Sequence, residues 1–328
     1  MKKKIALVTG GFTGESVISL KSAAVVEKTI DRSKYEVFKI LVYPGNWYHE
    51  TLEGHQIPVD MNDFSIILEG KKITFDGVFN ILHGSPGEDG KLAGYFDMVG
   101  LPYTTCDALT SAITMNKGYT KAIVASIPEL HVAKSMQLFE NTPQNTANIL
   151  EKLRLPLFVK PNNGGSSIGM SKVKEASALQ EALDKAFAED AQVLVEEFVS
   201  GREFSIGVFK AQGNITVLPA TEIISSKEFF DFEAKYSPGV TEEITPGRMN
   251  AEEVDRVNRI IEKVYQTLNC RGAVRVDYFL EHGTGNFYFI EINTVPGQTE
   301  TSLISQQVRA TGMEVKDFYS LLIEEMLS

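Results

Sequence analysis

The chain holds 328 residues, 43% of them hydrophobic and 23% charged, and its 43 Asp and Glu outweigh 32 Lys and Arg to leave a net charge of -11. That composition excludes disordered, collagen-like and disulfide-scaffold classes, and the length suggests two or three domains with packed cores. An acidic chain without a basic block is a poor partner for nucleic acid or an anionic membrane, although a few cations gathered at one place can still hold a phosphorylated small molecule.

In chain order, Met1-Lys2-Lys3-Lys4 looks like the charged end of an export signal. Only Ile5-Ala6-Leu7-Val8 follows before Thr9-Gly10-Gly11, too short an apolar run, and no later run reaches membrane-spanning length, so a cytoplasmic protein is expected. Lys4–Thr9 reads as a strand, Glu15–Ile30 as a helix through Val17, Leu20, Ala24 and Ile30, Tyr35–Tyr43 as a second strand and Gly77–Leu82 as a third. Strands alternating with helices and glycine loops imply a parallel α/β sheet.

The character changes around Thr104–Thr114. Met115–Ser126 reads as a helix, Leu155–Lys160 as a strand stopped by Pro161, Asn162–Gly165 as a turn, and Ser166–Val173 as the returning strand. Glu175–Glu189 carries Leu179, Leu183, Ala186 and Phe187 on one helical face, and Gln192–Val199 is a further strand, which makes a small α+β unit. The last third opens with a hairpin, Arg202–Lys210 and Asn214–Ile224, joined by Ala211-Gln212-Gly213. Ser225–Thr245 is polar and aromatic without a period, as in lids and disordered loops. Glu252–Leu268 is a helix, Ala273–Leu280 pairs with Asn286–Asn293, and a C-terminal helix closes the chain. Cys106 and Cys270 belong to no C-x-x-C pair and read as buried, reduced thiols.

The second hairpin carries the sharpest chemical signal. Side chains alternate along a strand, so Arg275 and Asp277 share one face, as do Glu291 and Asn293, among apolar neighbours. If the turn falls near His282–Gly285, the two polar faces coincide. Two carboxylates and an amide oxygen are hard ligands suited to magnesium bridging a substrate's phosphates. A solvated polar sheet face is the plainer alternative, and it usually shows Lys and Thr as well.

Next comes Leu157–Met170. Lys160 ends an apolar strand, where an ammonium needs an anion or water, and the following glycines let backbone N–H groups and the Ser166 and Ser167 hydroxyls approach a phosphate. Gly165-Ser166-Ser167-Ile168-Gly169 also fits G-x-S-x-G, the serine-hydrolase elbow. That elbow needs a strand–turn–helix, whereas Met170–Val173 continues as strand, and the only downstream histidine, His282, lies in a tight turn. Neither Gly70-Lys71 nor Gly90-Lys91 precedes Ser or Thr, so a Walker A loop is excluded, and Gly10–Gly14 lacks the dinucleotide spacing. Glu15, in the first turn of its helix, has a plain role in complementing the helix dipole.

Taken together, Gly10-Gly11…Glu15, His83-Gly84…Gly87-Glu88-Asp89-Gly90, Met115-Asn116-Lys117, Val159-Lys160-Pro161 and Gly165–Val173 resemble the D-alanine–D-alanine ligase family of ATP-grasp enzymes. So do Val193–Glu196, Glu233-Ala234-Lys235-Tyr236, Arg275-Val276-Asp277, Glu291-Ile292-Asn293 and Ser302-Leu303. The resemblance runs over nearly the whole chain. It implies a three-domain ATP-grasp architecture: a parallel, Rossmann-like α/β domain at 1–104 and two α+β subdomains, 105–197 and 198–328, sandwiching ATP, with 225–245 as a lid.

By the same resemblance, Lys117 and Lys160 would hold ATP phosphates, with Ser167 in the same glycine turn. Glu196, Glu197, Phe198 and Val199 would border the adenine, and Glu203 would bind ribose. Asp277, Glu291 and Asn293 would ligate two magnesium ions, with manganese as a substitute and Glu291 bridging. Glu15 would pair with the ammonium of the first D-alanine, supported by Ser166 and Tyr236. Arg275 and the Gly297 N–H would stabilise an oxyanion, and Ser302, next to Leu303, would take the second D-alanine's carboxylate. His83 and Lys235 belong near the substrates.

The implied reaction joins two D-alanines through an acyl phosphate for peptidoglycan precursors. The implied partners are D-alanine, ATP and a second copy of the chain, with no nucleic acid and no membrane. Thr301, Glu197 and Ser85-Pro86 depart from the usual pattern. A D-alanine–D-lactate ligase should lack Tyr236, another carboxylate–amine ligase should lack the Glu233–Tyr236 context, and a non-catalytic nucleotide-binding protein should have lost Glu291, Asn293 or Arg275.

Overall fold

A computed structural model of the chain describes residues 2–51, 53–165, 168–225 and 241–328. In the first sheet Lys3–Gly10 (β1) lies parallel to both Tyr35–Tyr43 (β2) and Gly77–Asn80 (β7). Ile5–Val8 are wholly buried because both faces of β1 are covered. Ile5 and Leu7 pack with Ala23 and Val26 of the helix Ser16–Thr29 and with Phe318 and Tyr319 of the helix Val315–Met326. Ala6 and Val8 face Leu92 and Phe96 of the helix Lys91–Val99. The C-terminal helix therefore shares a core with the first sheet.

Beyond β2 the sheet continues as antiparallel strands, Asn46–Glu50 (β3), Gln56–Asp60 (β4), Ser65–Leu68 (β5) and Lys71–Ile73 (β6). The sequence reading placed no element there, and the parallel pattern it expected holds only for β2-β1-β7. These strands are short and alternate weakly, so their pairing owes more to the β2 edge than to their own period.

The second sheet has the order β11-β10-β12-β9, antiparallel throughout, from Ser135–Leu138 (β9), Leu157–Pro161 (β10), Ser171–Val173 (β11) and Val193–Glu197 (β12). Leu179, Leu183 and Ala186 of the helix Leu179–Phe187 cover one side. The third sheet has the order β16-β15-β13-β17-β18-β8, made of Leu130–Val132 (β8), Gly201–Ala211 (β13), Thr221–Ser225 (β15), Thr241–Ile244 (β16), Ala273–Glu281 (β17) and Phe287–Asn293 (β18), with Asn214–Val217 (β14) on the far half of β13. Helix Ala251–Thr267 buries Val257, Ile261 and Val264 against it, and its start is fixed by a reciprocal cap between Asn250 and Glu253.

Two expected elements are broken for visible reasons. Met115–Ser126 is not one helix, because Asn116 is extended and its side chain accepts the Tyr119 N–H at 3.0 Å, capping a new helix, Lys117–Val124, after Ala108–Met115. The strand 214–224 divides at Leu218-Pro219-Ala220, since Pro219 has no N–H to give a ladder. Cys106 and Cys270, distant in sequence, meet in the fold, and the Cys270 thiol is pushed up by its hydrogen bond with Cys106 and by burial.

Gly272 anchors this region. Its φ is +60°, and a Cβ there would lie 1.7 Å from the Thr104 carbonyl oxygen. Backbone cannot yield as a side chain tip can, so Gly272→Ala should lower stability by about 3 kcal/mol, from positive-φ strain and overpacking together. Urea unfolding measures this, and a wild-type midpoint would refute it.

Candidate active site

One cavity of about 1020 Å³ is lined by Glu15 and His83 from the first sheet's loops, Lys160 and Glu196 from the second sheet, and Arg275 and Glu291 from the third. Its position where the three sheets meet explains why its polar groups come from such distant parts of the chain.

In the β17–β18 hairpin the turn closes at Glu281, whose N–H donates to the Asn286 carbonyl at 2.9 Å. That places Arg275 opposite Asn293 and Asp277 opposite Glu291, with a register shift just after Asp277. The two polar faces therefore coincide. The Arg275 guanidinium donates through Nε and one terminal nitrogen to the two Asp277 oxygens, both at 2.9 Å. Ser205 Oγ donates to Asp277 at 2.6 Å, and the Asn293 amide lies 3.4 Å from the same carboxylate. Burial alone would ease the proton off Arg275, but Asp277 and Glu291 outweigh it and hold the guanidinium firmly charged. Among the described residues no group of three or more His, Cys, Asp or Glu is disposed to hold a metal. The donor set offered here is two carboxylates and an amide, all hard oxygens, which fits magnesium or manganese and not zinc.

The lysines are parked on neighbouring acceptors. Lys117 Nζ bonds the Gly164 carbonyl and lies 3.4 Å from Glu291. Lys160 bonds one oxygen of Glu196, and Lys121 bonds the other. Burial pushes the Glu196 carboxyl up, but the two ammoniums prevail and hold it down at about 2. Burial, aided by Lys160, brings Lys121 down to about 8. Lys121 was not singled out from the sequence, although its spacing of four from Lys117 on a helix puts the two on one face.

Around these groups lie Phe198, Val199 and Glu203, all in the cavity wall. Phe198 stacks under Lys172, whose Nζ is 3.9 Å from the ring centre. Glu197 is held by Arg154, through its backbone N–H at 3.1 Å and its guanidinium at 3.2 Å.

At the other end, Glu15 sits just before the helix Ser16–Thr29. Glycines crowd its carboxylate: a Cβ on Gly84 would fall 2.6 Å from one oxygen, and a Cβ on Gly165 2.7 Å from the other. His83 is buried, and both its nitrogens are engaged. Nδ1 lies 2.7 Å from the Val295 carbonyl, which can only accept, so Nδ1 carries the proton and Nε2 accepts from Ser22 Oγ at 3.3 Å. Ser22 Oγ in turn accepts the Gln298 N–H at 3.2 Å. Glu88 ties the same two loop segments, accepting the Gly84 N–H at 2.6 Å and the Val295 N–H at 3.3 Å. This network fixes the segment that carries Gly297, where a Cβ would stand 3.0 Å from Ser302 Oγ. Ser302 also accepts the Thr299 N–H at 2.9 Å and precedes the helix Leu303–Ala310. Ser166, Ser167, Lys235 and Tyr236 lie outside the described residues.

Glu88 and His83 make this tether pH-dependent in opposite senses. Burial and then Glu15 raise Glu88 from 4.5 to about 8, so its contribution is present below pH 4.5 and lost as pH rises through 8. Burial lowers His83 from 6.5 to about 4, so its contribution is present above pH 6.5 and lost as pH falls through 4. Between pH 6.5 and 8 only Glu88 contributes a slope, at most about 1.4 kcal/mol per pH unit. Glu88→Gln should therefore gain on wild type in urea unfolding as pH rises from 6 to 9, and parallel pH profiles would refute the assignment.

Comparison with known proteins adds a second line. Residues 4–106 match the family model described as D-ala D-ala ligase N-terminus, and residues 121–326 match D-ala D-ala ligase C-terminus. A D-alanine--D-alanine ligase of Parabacteroides distasonis is 43% identical, over 100% of this chain and 98% of its own. The corresponding enzyme of Flavobacterium johnsoniae is 41% identical over 99% and 100%. Among solved structures, the VanG D-Ala:D-Ser ligase of Enterococcus faecalis superposes with a TM-score of 0.89 at 32% identity, covering 99% of this chain and 100% of that one. The Bacillus anthracis D-alanine--D-alanine ligase complexed with ATP superposes with a TM-score of 0.79 at 27% identity, covering 99% and 97%.

Proposed function

The chain belongs to the D-alanine–D-alanine ligase family, and we propose that it joins two D-alanines into D-alanyl-D-alanine, converting ATP to ADP and phosphate, for peptidoglycan precursor synthesis. The observation that carries this reading is one cavity in which Glu15, Lys160 of the second sheet, Lys117 of the helix Lys117–Val124 and the Arg275–Asp277–Glu291–Asn293 face meet. Lys117 and Lys160, paired with Glu291 and Glu196, would turn toward ATP phosphates, and Phe198, Val199 and Glu203, which line the same cavity, would border the base and ribose. Asp277, Glu291 and Asn293 would hold magnesium, whose charge would offset that of the phosphates.

A carboxylate is a poor electrophile, so the first D-alanine is activated by phosphoryl transfer to an acyl phosphate. Glu15 holds its ammonium. The amine of the second D-alanine, whose carboxylate sits at Ser302, attacks the acyl carbon. Arg275 and the Gly297 N–H then hold the developing oxyanion, and phosphate leaves. His83 and Glu88 keep the Val295–Gln298 segment, and with it Gly297, in register. We also take 1–104, 105–197 and 198–328 as the working domains, a cytoplasmic location and a homodimer as parts of this reading. No helix among the described residues is long and apolar enough to cross a membrane.

The deciding assay is phosphate release from MgATP with D-alanine, set beside L-alanine, D-lactate and D-serine as second substrates, with products identified by mass spectrometry. Release dependent on D-alanine, with dipeptide as the product, is expected. D-alanyl-D-lactate or D-alanyl-D-serine as the main product would overturn the choice of second substrate. MgATP at one hundred times its dissociation constant should stabilise the fold by about 2.7 kcal/mol, read as a rise in melting temperature, and an unmoved transition would remove the ATP site.

A further inference from the structure

Glu196 is a buried carboxylate with two ammoniums, and the two differ in what they can do next. Lys160 ends β10 just before the glycine turn and, on the reading above, moves to phosphate. Lys121 stands in the middle of the helix Lys117–Val124, is 5% exposed, and bonds Glu196 from the cavity's inner wall. When Lys160 leaves, Glu196 keeps one cation.

We propose that Lys121 is a positioning residue: it keeps Glu196 ionised and aimed into the cavity as a hydrogen-bond acceptor for the exocyclic amine of adenine, and so sets the choice of ATP over a 6-oxopurine nucleotide.

The inference rests on the ATP-site reading and deepens it. An ionised carboxylate can only accept, so it suits the 6-amino group of adenine and opposes the 6-oxo group of hypoxanthine or guanine, where acceptor would face acceptor. Without a counter-cation, burial drives a carboxyl to its neutral form, which can donate as well and no longer tells the two bases apart. Lys121 carries this role better than Lys160 because its helix leaves it no phosphate to reach once Lys117, one turn earlier, has taken that place.

The test uses the full-length chain with MgATP and MgITP, which differ at purine position 6. Wild type should bind and turn over ATP well ahead of ITP. Lys121→Met should raise KM for ATP more than it lowers kcat, and shrink the ATP-to-ITP ratio of kcat/KM by at least about tenfold. Lys121→Arg should restore most of the ratio, because it returns the cation. Lys121→Met leaves the buried Glu196 with Lys160 alone and so costs stability, so it is also made together with Glu196→Gln, which removes both charges. Action through Glu196 requires that the double variant have the same ratio as Glu196→Gln alone. An unchanged ratio in Lys121→Met, no rescue by Lys121→Arg, or a double variant that differs from Glu196→Gln would each overturn the proposal. A wild-type chain that binds neither nucleotide would overturn the ATP-site reading itself, an outcome separate from wild-type binding with an unaltered Lys121→Met.

Discussion

Glu291→Gln is expected to lower turnover by roughly a hundredfold or more, because it removes one negative charge from the oxygen set proposed to hold magnesium. Glu291 lies directly across the hairpin from Asp277 and 3.4 Å from Lys117 Nζ. The amide keeps the shape and an oxygen donor but not the charge, so the variant should also need more magnesium for half-maximal activity. Folding should survive, since the side chain remains 22% exposed and Gln can occupy the same space. The measurement is phosphate release against magnesium concentration, beside the melting temperature. Turnover and magnesium demand like those of wild type would remove Glu291 from the metal set.

Arg275→Met should lose about 3–4 kcal/mol of transition-state stabilisation, the typical worth of one oxyanion donor, which appears as a fall of about 10²–10³ in kcat. The same change unmakes the bidentate bond to Asp277 and leaves that carboxylate with the Ser205 hydroxyl and the Asn293 amide. Breaking a dry pair costs about 3–5 kcal/mol, but Arg275 keeps 21% and Asp277 15% of side-chain surface exposed, so about 2 kcal/mol of stability is expected here. Arg275→Lys separates the two effects. It returns a charge without the planar fork, so stability should recover more than kcat. A kcat within threefold of wild type in Arg275→Met, measured on folded protein, would exclude the oxyanion role.

The sequence by itself determined the elements whose pattern is strong and local. The alternating β17–β18 hairpin placed Arg275, Asp277, Glu291 and Asn293 on two polar faces, and only the turn position stood between that reading and the shared face the register shows. The long period of Ala251–Thr267 and the apolar run of β1 were equally legible, because each carries its own burial pattern. The tertiary structure decided what depends on partners far along the chain. Asn116 breaks a helix that periodicity would continue, because its side-chain oxygen accepts the Tyr119 N–H at the start of the next one. Short strands between 46 and 73 exist because the edge of β2 is there to pair with. Lys121 and Lys160 come from different elements to one carboxylate, and Ser22, His83 and Glu88 reach from the first third of the chain to hold the Val295–Gln298 segment that carries Gly297. Periodicity reports which side of an element is buried only where the apolar stripe is strong: in Ser16–Thr29 the expected Val17, Leu20 and Ala24 are exposed, and Ser19, Ser22, Ala23 and Val26 are buried instead. It carries no record of which charged group lies across the cavity, because that choice is made by packing three sheets against one another, and with it come the burial and the paired charges that shift Glu88, Lys121 and Glu196.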